Sequence, residues 1–107
     1  MLRRIVKHAE YRSFTDADNS CRLPHFFVPV IYNEDDFFAY GITIGKRIGN
    51  AVVRNRLRRR IKAWFINNSN LLPTGIRIVL IARYGAAELD WNALSGELNQ
   101  LIEMLGK

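Results

Sequence analysis

The sequence predicts an α+β domain, a mostly antiparallel sheet with helices packed on it. Three observations carry that expectation. Phe26–Tyr32 (F-F-V-P-V-I-Y) and residues 37–44 (F-F-A-Y-G-I-T-I) are aromatic and β-branched runs separated by the polar turn Asn33-Glu34-Asp35-Asp36. Ile76–Ala82 (I-R-I-V-L-I-A) is apolar almost throughout, as a strand covered on both faces is. Residues 52–65 and 91–105 instead repeat apolar side chains at helical spacing.

Taken in order, residues 1–14 are short and mixed. Leu2, Val6 and Ala9 share a helical face there, which predicts a short opening helix. Residues 15–24 hold Asp, Asn, Ser and Pro and read as a loop with a brief strand around Cys21. Phe26–Tyr32 is the next strand, in which Pro29 argues for an edge position or a bulge. Residues 37–44 return beside it as the second arm of an antiparallel hairpin. On a helix at about 100° per residue, Val53, Leu57, Ile61 and Trp64 form one buried stripe. Residues 67–74 make a loop rich in Asn, closed by Pro73 and Gly75. Strand Ile76–Ala82 then completes a βαβ unit with the 52–65 helix as its crossover. Asp90 caps a last helix whose stripe is Trp91, Leu94, Leu98, Leu101, Ile102 and Leu105.

The chemistry concentrates in residues 41–65. Lys46, Arg47, Arg54, Arg56, Arg58, Arg59, Arg60 and Lys62 lie there, half of the 16 Lys and Arg of the chain. No Asp or Glu occurs between Asp36 and Glu88. Arg54, Arg58 and Lys62 stack on one flank of the helix, Asn55 and Arg59 extend that face, and Arg56 and Arg60 lie on the other flank. Like charges at i, i+4 repel by a few tenths of a kcal/mol, roughly, per pair. A merely solvated helix interleaves Glu with Lys and Arg; this one leaves its counter-charge to an external polyanion. The planar fork of Arg suits phosphate oxygens better than the point charge of Lys. Before the helix, Gly45-Lys46-Arg47-Ile48-Gly49-Asn50 sets a basic pair beside the first free N–H groups, with Asn50 as cap. By themselves the two glycines suit an ordinary strand-to-helix turn; joined to the arginines they suit an anion site.

Length and composition bound the rest. At 107 residues the chain is expected to be one domain, residues 1–107, able to build a core without staples. A net charge of +6 and a pI near 10.0 favour nucleic acid or an anionic membrane surface as partner. Cys21 is the only cysteine, so no internal disulfide forms, and a reducing compartment, the cytoplasm, fits. No apolar run follows the basic Met1-Leu2-Arg3-Arg4 start as in a signal peptide, and none approaches the ~20 residues of a membrane span. No membrane and no obligate protein partner is expected.

The segment G-I-T-I-G-K-R-I-G-N-A-V-V-R-N-R-L-R-R-R-I-K, followed by I-V-L-I-A-R, resembles the protein subunit of bacterial ribonuclease P. That family's hallmark is an R-N-R motif on a helix after a Gly-Lys-Lys-type turn. Here Arg54-Asn55-Arg56 and Lys46-Arg47 stand in those places. The likeness is strong from Gly41 to Arg83 and weak before Pro24. It departs at Gly45, where the family often has Ser. The resemblance implies a single-domain two-layer sandwich with a left-handed βαβ crossover, against the usual rule. It implies a subunit of a tRNA 5′-maturation endoribonuclease whose partners are a catalytic RNA and precursor tRNA. It implies no catalytic and no metal-binding residue in this chain, since the RNA holds the Mg²⁺ that activates water. The RNA-binding residues would be Lys46, Arg47, Asn50, Arg54, Asn55, Arg56, Arg58, Arg59, Arg60 and Lys62. A cleft between the first helix and the sheet would hold the single-stranded 5′ leader, with Tyr11, Phe14 and Phe26 stacking on its bases. Phe14 is closer to Tyr11 than the family spacing and suits core and cleft equally. Phe27 suits the core better.

Other classes fit less well. A metal nuclease would have to use Glu34, Asp35, Asp36, His8 and His25, but three successive acids on a turn point apart and the histidines lack the i, i+4 spacing of a zinc pair. Neither a Ser–His–Asp nor a Cys–His arrangement can be argued. A DNA reader lacks a helix-turn-helix pair or dimerising heptads. A generic structured-RNA module, of the ribosomal-protein kind, is the alternative that charge leaves open.

Overall fold

The computed structural model describes residues 2–15, 17 and 19–106. Five strands form one sheet: β1 Leu2–Arg4, β2 Asn19–Arg22, β3 Phe26–Tyr32, β4 Phe38–Thr43 and β5 Ile76–Ala82. Their spatial order is β1-β4-β5-β3-β2. The helices are α1 His8–Arg12, α2 Ala51–Asn67 and α3 Trp91–Leu105, and short 3₁₀ turns precede α2, follow it and precede α3. The architecture is α+β with a mixed sheet. Two pairings, β1 with β4 and β4 with β5, are parallel. The other two, β2 with β3 and β3 with β5, are antiparallel.

The expected hairpin between β3 and β4 does not form: β5 lies between them. The cause is the composition of β5. Ile78, Val79 and Leu80 are all buried, so both faces and both edges of this strand must be covered, which only a central position provides. The turn after β3 crosses the start of β5 instead. Gly75 ties the crossing, its C=O accepting from Asn33 N–H at 2.9 Å and its N–H donating to Phe37 O at 3.0 Å. Pro29 is not on an edge either, because β2 pairs outside β3; the β3–β5 register skips from Phe27↔Ile81 to Val30↔Ile78 around it.

The βαβ unit is present, since parallel β4 and β5 are joined through α2. The Asn50 side chain accepts from Val53 N–H at 2.9 Å, as a cap does, and Asp90 accepts from Ala93 N–H at 2.8 Å at the start of α3. Residues 2–14 differ from the expected helix. Leu2–Arg4 pairs with Phe38–Tyr40 as a parallel edge strand, and α1 is only five residues long. The supposed apolar face fails because Val6 is 62% exposed; Ile5, at 1%, is the residue that packs.

The sheet separates two apolar clusters. On one face Phe26, Val28, Val30, Phe38, Tyr40, Ile76, Ile78 and Leu80 meet Leu57, Ile61, Trp64 and Phe65 of α2 and Leu94, Leu98, Leu101 and Leu105 of α3. On the other, Ile5, Phe14, Ala39 and Val79 pack with Tyr11, Ile31, Phe37 and Ile81. Phe65 centres the larger cluster. Its ring lies 4.4 Å from that of Tyr40, 5.9 Å from Phe38 and 5.3 Å, edge-on, from Trp64. Phe65→Ala is expected to destabilise the fold by about 3–5 kcal/mol, read by chemical denaturation, because three rings around the hole cannot collapse together.

Candidate nucleic-acid interface

α2 displays its cations without partners of opposite charge. The ion pairs among the described residues are Arg3–Glu10, His25–Glu97, Arg77–Glu10 and Arg77–Asp35, and none involves residues 46–62. Among the described residues, no ion pair neutralises this stretch. Lys46 and Arg47 are exposed on the 3₁₀ turn before the helix, and Arg56 and Arg59 are exposed on the helix. Arg54 is steadied by donating from Nε to Gly49 O at 3.1 Å, and Arg58 by donating to Asn55 Oδ1 at 3.0 Å. These bonds hold the guanidinium groups in place without neutralising them. Two residues of the set have other occupations: Asn50 spends its side-chain oxygen on the helix cap, and Arg60 donates to Leu89 O at 3.1 Å, tying α2 to the turn before α3.

Beside this helix, the sheet face opposite the main core carries an aromatic groove of about 410 Å³. Tyr11 and Phe14 form one wall, Phe27, Pro29, Val79 and Ile81 the floor, and Asn19 and Ser20 of β2 the far rim. The Tyr11 hydroxyl pins this wall. It accepts from Ile42 N–H at 3.1 Å and donates to Ile5 O at 3.1 Å, joining α1 to β1 and β4. Its ring packs against Gly41, where a Cβ would come within 2.8 Å of the ring. Phe14 satisfies both expectations, being 7% exposed in the smaller cluster and also lining the groove.

Phe26 does not line it. Alternation along β3 turns Phe26, fully buried, toward α2 and α3, and turns Phe27 into the groove. The Arg22 guanidinium lies 5.6 Å above the Phe27 ring. Sequence reasoning preferred the wrong neighbour because both faces of β3 are apolar, so neither parity marks the core.

Two further hollows adjoin the groove. One, of about 650 Å³, lies past the ends of β4 and β5 and shares Thr43 and Ile81 with it. Lys46, Arg47, Arg83 and the 89% exposed Tyr84 surround this hollow. Arg83 and Tyr84, just past β5 in the acid-free span, are not among the residues that the sequence marks for RNA binding. The other, of about 210 Å³, is lined by Arg4, Ile5, Val6, Tyr11, Ile42, Arg58 and Lys62. Arg4 also went unnoticed, because pairing β1 to β4 is what brings it to α2. Tyr11 lines both this hollow and the groove, so the cation flank of α2 and the aromatic floor meet at its ring.

Two of the groups that a metal nuclease would use have partners. Asp35 accepts from Arg77 Nη2 at 2.7 Å and Nε at 3.1 Å, and His25 is bound to Glu97. Burial pushes the Cys21 thiol up, away from reactive thiolate.

A sheet groove floored by aromatic and apolar side chains, linked at Tyr11 to a hollow lined by Arg58 and Lys62 of an arginine helix that makes no ion pair among the described residues, defines a nucleic-acid-binding α+β protein. The family model of ribonuclease P matches residues 2–106, and the chain belongs to the bacterial ribonuclease P protein family. It is 34% identical to the ribonuclease P protein component of Geotalea uraniireducens over 97% of this chain and 91% of that one. Among solved structures, it is similar to the RNase P protein of Staphylococcus aureus, with a TM-score of 0.84, 28% identity and coverage of 95% and 94% of the two chains. The Thermotoga maritima RNase P protein gives a TM-score of 0.85 at 25% identity, covering 94% of this chain and 96% of that one.

Loss of hydration, with Arg4 and Arg58 close by, holds the Lys62 ammonium below the ordinary lysine value. A depressed lysine pKa is a penalty on the charged form, present below the folded pKa and relieved as pH rises past it. An RNA phosphate in that hollow reverses the local field. The Lys62 titration, followed by ¹³C NMR at Cε, is expected to move up toward the ordinary value when RNA is bound.

Proposed function

We propose that this chain serves as the protein subunit of a ribonuclease P holoenzyme that removes the 5′ leader from precursor tRNA. The observation that carries the reading is the junction at Tyr11, where the unneutralised flank of α2 meets a groove floored by apolar and aromatic side chains. The α2 face, through Arg54, Asn55, Arg56, Arg58, Arg59 and Lys62, binds the catalytic RNA, releasing counterions from its phosphates. Asn55 keeps an amide donor for a 2′-OH or base edge. The groove holds the unpaired leader, its bases lying against Tyr11, Phe14 and Phe27 irrespective of sequence. Lys46, Arg47 and Arg83 receive leader phosphates in the adjoining hollow.

The chemistry belongs to the RNA. Mg²⁺ held by the RNA and substrate supplies the activated water for phosphodiester hydrolysis. Among the described residues, Glu10 and Asp35 are engaged by Arg3 and Arg77. The chain's own part is to bind, orient and raise the local affinity for substrate. A cytoplasmic location goes with this role.

Reconstitution tests it: the purified chain, a bacterial ribonuclease P RNA and a precursor tRNA are combined at low Mg²⁺, and leader release is followed. Cleavage stimulated only when both macromolecules are present is the expected outcome. Cleavage by the protein alone would make it a nuclease, and tight RNA binding without stimulation would leave a generic RNA-binding module. Arg54→Ala with Arg56→Ala is expected to weaken catalytic-RNA binding by about tenfold or more and to flatten its salt dependence, with little change in melting temperature. Tyr11→Ala is expected to lower affinity for leader-bearing tRNA by about tenfold while leaving mature tRNA nearly unaffected, since base stacking contributes about 1–3 kcal/mol. Equal losses for both substrates would assign Tyr11 to folding instead.

A further inference from the structure

Glu97 is the one buried charged residue among the described positions, at 8% exposure. It sits in the apolar stripe of α3, between Leu94 and Leu98 and one turn before Leu101, where a leucine would extend the core. Burying a carboxylate is unfavourable unless it is fully hydrogen-bonded, and replacing a buried polar pair by apolar groups is often neutral or stabilising. Stability alone therefore does not explain this residue.

Both its oxygens go to one partner. His25 N–H donates to Oε1 at 2.9 Å, and the ring Nδ1 lies 2.6 Å from Oε2. An ionised carboxylate only accepts, so Nδ1 carries the proton in this contact. Backbone and ring of His25 are thus clamped together. From His25 the connection runs outward: its C=O accepts from Arg83 N–H at 2.9 Å. Its ring backs onto Gly85, where a Cβ would lie 3.0 Å from Cδ2. Arg83 and Tyr84, which line the hollow opposite Lys46 and Arg47, are held between these two contacts.

We propose that Glu97 and His25 are positioning residues that set the Arg83–Tyr84 corner for RNA. Glu97 touches no RNA itself; it orients His25, and His25 fixes where the Arg83 guanidinium and the Tyr84 ring are presented. The inference rests on the reading that this hollow receives the precursor, and it is tested so that the two can fail separately.

The test uses the holoenzyme reconstituted with Glu97→Leu, Glu97→Gln, Arg83→Ala and the Glu97→Leu/Arg83→Ala double variant. Amide hydrogen exchange at Arg83 reads the anchoring directly, without RNA. Glu97→Leu is expected to speed that exchange by about tenfold or more while the amides of β5 stay protected. In the same variant, affinity for leader-bearing tRNA should fall about three- to tenfold and affinity for mature tRNA stay within about twofold, and the double variant should be no worse than Arg83→Ala alone. Glu97→Gln should restore both readouts, because its carbonyl can accept from His25 N–H while its amide donates to Nδ1 of the other tautomer. Wild-type precursor affinity in Glu97→Leu, or fully additive losses in the double variant, would overturn the proposal. A loss shared equally by mature tRNA would also overturn it, as a merely structural defect. If Arg83→Ala binds precursor normally, the hollow is no RNA site and the positioning role falls with it. Failure of the wild-type chain to stimulate cleavage would instead sink the subunit reading, with exchange at Arg83 still reporting whether Glu97 anchors the corner.

Discussion

The central place of β5, paired along both edges, organises this molecule. A strand reading I-R-I-V-L-I-A buries Ile78, Val79 and Leu80 and takes the centre, with β4 on one side and β3 on the other, while Arg77 and Ile81 stay partly open. Lying parallel to β4, it needs a long crossover, and the crossover is α2. The helix that carries the positive charge is therefore bound to the sheet by Leu57, Ile61, Trp64 and Phe65 because the sheet could not be completed without it. The placement of the charged surface is a by-product of satisfying the most apolar strand.

Charge is distributed with equal economy. Among the described residues, Arg3 and Arg77 meet Glu10 and Asp35 toward one end of the open face, and Arg3 also covers the Phe37 ring. The other end, with Lys46, Arg47 and Arg83, has no such engagement among the described residues. The described ion pairs thus gather toward one end of this face and leave the cations at the other end unpaired.

Much of this was legible in the residues. The α2 stripe, the α3 stripe apart from the exposed Trp91, both helix caps and the basic face follow from spacing and turn chemistry, because each is decided by neighbours within a few positions, and the order strand, helix, strand gives the βαβ unit. What was not legible depends on distant parts of the chain. Nothing local says that Leu2–Arg4 pairs with Phe38–Tyr40, or that β5 separates β3 from β4. The aromatic wall shows the same division. Tyr11 is fixed by bonds to Ile5 and Ile42, one of them thirty-one residues away. Phe26 and Phe27 exchange roles because both faces of β3 are apolar, and only the side taken by α2 and α3 decides which is core. Arg83 and Tyr84 gain significance only once the ends of β4 and β5 lie together.

The crossing that Gly75 secures has a consequence for synthesis. β3 and β4 are separated by only five residues, and a polypeptide leaving the ribosome completes both before β5 has been made. The pairing within immediate reach is the direct hairpin, which the finished sheet does not contain. Each strand must keep an edge vacant for a segment that arrives more than thirty residues later, or give up a premature partner to receive it. The nascent chain therefore spends an interval with two apolar strand edges open, in the condition most prone to association with other chains. Its assembly is governed by the last strand to emerge and not by the nearest available one.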